Sequence, residues 1–101
     1  MQTGRRLAAV YVLDLHPARR QAWIHFAHER GLGVFDVYSD AYVGGVCDFR
    51  MFDQLIHDAK RGCFDTVILH YSTSMMDIPG WSARFRRLFE LDVRRHLVVI
   101  G

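Results

Sequence analysis

The chain has 101 residues and a formal net charge of +2, with 50% of its residues hydrophobic and 24% charged. That length holds one domain with a real core, and the balance excludes a disordered chain. Twelve of the 13 basic residues are Arg, and nine of these fall in separate clusters, Arg5-Arg6, Arg19-Arg20, Arg84/Arg86/Arg87 and Arg94-Arg95, a distribution of solvated helix faces and ends rather than one nucleic-acid patch.

Leu7 to Leu13 is an apolar run after a basic start and reads as a buried first strand. Asp14-Leu15-His16-Pro17 breaks it, and Pro17 opens a helix, since proline suits the first helical turn. Ala18, Ala22, Trp23, Phe26 and Ala27 recur at helical spacing, with Gly31 as the expected C-cap. Leu32 to Tyr38 alternates partly and reads as a second strand nearer an edge. Ser39 to Cys47, with Gly44-Gly45, reads as a loop.

Asp48 is placed to cap the next helix, whose Met51, Phe52, Leu55, Ile56 and Ala59 form an apolar stripe. Gly62 closes that helix. Thr66 to Leu69 is short, apolar and β-branched, without polar alternation, as in a strand covered on both faces. Ser72 to Ile78 connects it to a third helix that starts at Pro79 and buries Trp81, Phe85, Leu88 and Phe89. Leu97 to Ile100 is a last strand. This order predicts a three-layer α/β/α sandwich, with a doubly wound parallel sheet of about four strands in the order 2-1-3-4.

Cys47 and Cys63 form no C-x-x-C pair, so the reading is free thiols in a reducing cytoplasm, without a metal or cofactor. No apolar run approaches the roughly 18 residues of a membrane span. The amino terminus lacks a leader pattern. No membrane partner is expected.

Open α/β sheets bind ligands beyond the carboxyl ends of their strands. Those ends carry Asp14, His16, Asp40, His70, Ser72 and Ser74, a candidate pocket. A small hydrolase could use Ser72 as nucleophile, His70 as base and Asp14 as orienter. Asp14 and Asp40 could share a magnesium ion, whose hard charge favours oxygen ligands. His25 and His28 lie three apart on a helix, but no third ligand joins them, so solvent-facing histidines are the plainer reading. The glycines form neither a dinucleotide fingerprint nor a P-loop.

The stretch from Gly31 to Leu69 resembles the catalytic domain of serine recombinases, the resolvase and invertase family. Val37-Tyr38-Ser39-Asp40 is similar to that family's second strand with its Asp. Asp40-Ala41-Tyr42-Val43-Gly44-Gly45 resembles its D-x-x-x-S-G turn, with Gly44 where Ser is usual. Ala59-Lys60-Arg61-Gly62-Cys63-Phe64-Asp65-Thr66-Val67-Ile68-Leu69 resembles its helix end and G-x-F-D-x-V strand. The resemblance implies a resolvase-like fold and DNA strand exchange through a phosphoserine held among arginines.

The chain departs from the family where that chemistry lies. Leu13 and Leu15 stand at the positions of the first strand's arginine and nucleophilic serine. Phe49 replaces the arginine before the second helix, with Arg50 adjacent. Ser74 and Met75 open the run that matches the family's D-R-x-x-R. These departures imply a catalytically silent domain over 1–101, lacking the dimerisation helix and DNA-binding domain. It would be a protein-interaction or regulatory module, or a decayed remnant, of a DNA recombination system. Its partner would be a protein or a second copy, with DNA touched weakly or through that partner. Leu97, Val98, Val99 and Ile100 are the expected contact strand, apolar and without Pro or Lys to discourage edge pairing. A receiver-like signalling domain is the alternative, with His70 where the phosphoacceptor Asp belongs.

Overall fold

The computed structural model describes residues 6–13, 19–70, 73–91 and 96–100, and for 73–74 and 96–100 the backbone alone. The elements run β1 (Leu7–Leu13), α1 (Arg20–Glu29), β2 (Gly33–Asp40), α2 (Arg50–Lys60) and β3 (Thr66–His70). A 3-10 turn (Thr73–Asp77), α3 (Trp81–Phe89) and β4 (His96–Ile100) complete the order. Every paired neighbour is parallel, and the strand order is β2-β1-β3-β4. The expected α/β class and the parallel 2-1-3 core of the sheet are present, and β4 joins through the Thr66–His96 to His70–Ile100 register.

The pleat explains the layering. Ala8, Val10, Val12 and Ile68 pack with Ala27 and Leu32 on the α1 face. Their alternates Ala9, Tyr11, Val67 and Leu69 pack with α2 and α3 on the other. Strands covered on both faces lose polar alternation, which is why β1 and β3 read as continuous apolar runs. Helix α2 is amphipathic: Phe52, Leu55, Ile56 and Ala59 are buried. The first three each contribute roughly 1.5–3 kcal/mol by leaving water.

Several boundaries and faces differ from the expectation. Strand β2 runs to Asp40 rather than Tyr38, because Ser39 and Asp40 pair with Val12 and Leu13. Met51 is exposed, so the α2 stripe begins at Phe52. Ala22 is exposed as well. Phe89 is 64% exposed, and the buried face of α3 is Trp81 and Leu88 with Phe85 packed against them. Helix α3 starts at Trp81, two residues after Pro79, with Gly80 (φ 87°) as its N-cap. A Cβ on Gly80 would lie 3.0 Å from Arg84 Nη1, so this left-handed position is also crowded. The helix opening expected at Pro17, with Ala18, lies outside the described residues.

Strand β2 ends the sheet on one side and carries a bulge. Ala8 pairs with Val34 and Ala9 with Asp36, leaving Phe35 as the extra residue. Asp36 Oδ1 accepts the Val37 N–H at 2.8 Å and the Arg20 Nη2 at 3.3 Å.

Candidate functional site

The best-defined polar structure lies where β2 ends. Asp40 is 6% exposed. Its Oδ1 accepts the Met51 N–H at 2.8 Å, and its Oδ2 accepts the Phe52 N–H at 2.9 Å and the Tyr11 hydroxyl at 2.8 Å. Met51 and Phe52 are the second and third residues of α2, whose amides have no partner inside the helix. Asp40 therefore does what a capping side chain does, but from the neighbouring strand. The expected cap, Asp48, instead accepts the Arg50 N–H at 3.2 Å. Burial pushes the Tyr11 phenol well above its ordinary pKa, and the hydrogen bond to Asp40 adds to the shift.

Phe49 occupies the N-cap position of α2 with φ 57° and ψ 29°, a left-handed conformation uncommon for a bulky residue. The core holds it there. Its ring is 1% exposed and stacks on Trp81 at 6.1 Å, with Phe52 edge-on. The Arg84 guanidinium lies 4.5 Å above the Phe49 ring centre and meets Asp53 through Nε and Nη2, both at 3.3 Å. This pair ties α3 to α2. Trp81 stacks on Tyr11 as well, and its buried indole N–H has no acceptor among the described residues.

Between β2 and α2, residues 41–49 make a small prong beside an open cavity. Val43 and Val46 exchange both backbone hydrogen bonds at 3.0 Å across Gly44-Gly45, whose φ values are 61° and 79°. Two consecutive positive φ angles are what a two-residue hairpin turn needs, and glycine adopts them without penalty. The two valines are 73% and 64% exposed. The cavity measures about 510 Å³, and Val43, Val46 and Met51 give it apolar surface while Ser39, Asp48 and Arg50 add polar groups.

Of the expected pocket residues, the side chains of Asp40 and His70 are described, and they lie on opposite faces of the sheet. Asp40 turns toward α2, whereas His70 packs on Trp23 of α1, ring centres 5.2 Å apart. The carboxylate is committed to the α2 amides and the imidazole to the Trp23 ring, so the two are not in contact. Asp14, Leu15, His16 and Ser72 lie outside the described residues, as does the side chain of Ser74. The Asp40 oxygens that a shared magnesium ion would need are already engaged with three donors. His25 and His28 are exposed, and His25 Nε2 lies 3.4 Å from Glu29. Cys47 and Cys63 are free thiols.

At the positions that the recombinase resemblance gives to cations, Leu13 packs against the core, Phe49 is sunk in the aromatic stack, and Met75 is 3% exposed. Sequence reasoning missed the prong, the exposure of Met51 and the Tyr11–Asp40 bond. A Gly-Gly pair between two valines was the available signal for the prong; the bond has none, being fixed by strand register. Among the described residues no helix is long and apolar enough to cross a membrane. Comparison of the chain with known protein families and with curated proteins finds no match to either.

Proposed function

We propose that this chain is a catalytically silent, serine-recombinase-like domain that works by protein contact within a DNA recombination system. One observation carries the reading: Phe49 and Met75 are buried in the core, and Leu13, half-buried, packs against it. An arginine at Phe49 or Met75 would have to bury its charge among apolar groups at a cost of several kcal/mol, whereas Arg50, next to Phe49, is exposed. With no cation at the Leu13, Phe49 and Met75 positions, the charge that develops in phosphoryl transfer would lack most of its stabilising partners. Contact is the remaining use for a frame that keeps the Asp40–α2 junction. The β4 strand, with Leu97 to Ile100, is the proposed contact, either with a second copy or with a larger recombinase.

Incubation with supercoiled DNA, followed by denaturing electrophoresis, tests the silent part. The expected result is no covalent protein–DNA adduct. An adduct mapped to Ser72 or Ser74 would reveal a relocated nucleophile and overturn the proposal.

A further inference from the structure

The geometry points to the cavity between the Val43–Val46 prong and the start of α2 as a binding site for a free apolar α-amino acid. This site is independent of any recombinase relationship. The cavity's volume of about 510 Å³ falls within the several-hundred-Å³ range of small-molecule sites, and it opens beyond the carboxyl end of a parallel strand, where α/β sheets take their ligands.

Its chemistry is apolar on one side and doubly charged on the other. Val43 and Val46 stand exposed at 73% and 64%, beside Met51 at 36%. An apolar side chain laid against them would remove that surface from water. Asp48 and Arg50, one acidic and one basic residue, both line the cavity and flank the buried Phe49. Among the described residues neither side-chain charge has an ion-pair partner. The left-handed backbone of Phe49 keeps Asp48 Oδ1 on the Arg50 N–H at 3.2 Å, leaving the second carboxylate oxygen and the whole guanidinium to a ligand.

The third charged residue, Asp40, is buried and already accepts from three protein donors, so its charge is largely committed to the fold. The first three helix amides are taken by Asp48 and Asp40, so an anion gains little from the α2 terminus itself. A simple anion would meet Asp48, and a simple cation would meet Arg50. A molecule carrying both an ammonium and a carboxylate beside an apolar group satisfies the two together, with Arg50 on the carboxylate and Asp48 on the ammonium.

The test is an amide-resolved NMR titration of the whole isotope-labelled chain with phenylalanine, with phenethylamine and with 3-phenylpropionate. Phenylalanine is expected to shift the Val43, Val46 and Met51 amides and to saturate in the millimolar range, with each single-charge analogue about 10-fold weaker or more. Asp48→Asn and Arg50→Gln should each weaken phenylalanine by about 10-fold, while the rest of the amide spectrum certifies the fold. Both side chains are exposed, so neither substitution disturbs the core. A peptide end carries only one of the two charges, so the analogues also separate a free amino acid from a chain terminus. Equal affinity for an analogue, unchanged affinity in either variant, or no shift at about 10 mM would overturn the proposal.

Discussion

Asp40 is the residue on which the β2–α2 junction turns, because one carboxylate serves three donors from two different elements. Asp40→Ala leaves two helix amides uncapped and the Tyr11 hydroxyl buried without an acceptor, a loss of roughly 2–4 kcal/mol. Tyr11→Phe removes one donor and leaves the cap in place, a loss of roughly 1–2 kcal/mol. Urea unfolding of both variants and of the double mutant checks this. The double mutant should lose less than the sum, because the orphaned hydroxyl is gone. Phe49 gives a second expectation. Phe49→Gly should be more stable than Phe49→Ala by about 1 kcal/mol, since alanine keeps the left-handed strain that glycine escapes. In ordinary helical or extended positions that order is reversed. Neither feature was legible in the sequence. Asp48 has the right type and position for a cap, and only the register Leu13↔Asp40 brings a better acceptor to the same amides.

Helix α2 is held to β2 by a second polar contact, this one at its far end. The Tyr38 hydroxyl donates to Asp58 Oδ2 at 2.7 Å, and Gln54 Nε2 donates to the other oxygen at 2.9 Å. The Tyr38 bond, joined by the Gln54 bond and opposed by a smaller effect of burial, holds Asp58 below the usual carboxylate range. A depressed carboxylate contributes stability above its unfolded pKa and loses it as pH falls through the folded value. The Tyr38 phenol is shifted the other way, upward, by burial first and by Asp58 second. Its contribution is complete below the ordinary phenol pKa of about 10 and is lost as pH rises beyond it. Urea midpoints across pH should therefore fall at both extremes, and Tyr38→Phe should shallow both falls. A pH profile unchanged by that substitution would contradict the assignment. At this scale the sequence reads well: the strand–helix alternation and the buried α2 side chains are legible as apolar residues at helical spacing. It misplaces Met51 and Phe89, which share the apolar type and period of their neighbours but stand exposed at the ends of their stripes.

The two outer strands of the sheet are built differently. At the β2 edge, the bulge at Phe35 breaks the regular ladder and Asp36 already occupies the Val37 amide, both of which discourage a further strand. β4 is the outer strand on the other side, and after His96 its sequence, Leu97-Val98-Val99-Ile100, carries no charge, Pro or Gly. If contact is what this domain does, β4 is the edge through which a second copy pairs, and one lysine there should prevent it. Multi-angle light scattering of the whole chain at micromolar concentration, repeated with Val99→Lys, measures this directly. A dimer for the unmodified protein and a monomer for the variant is the expected result; a monomer for the unmodified protein at every concentration would contradict it.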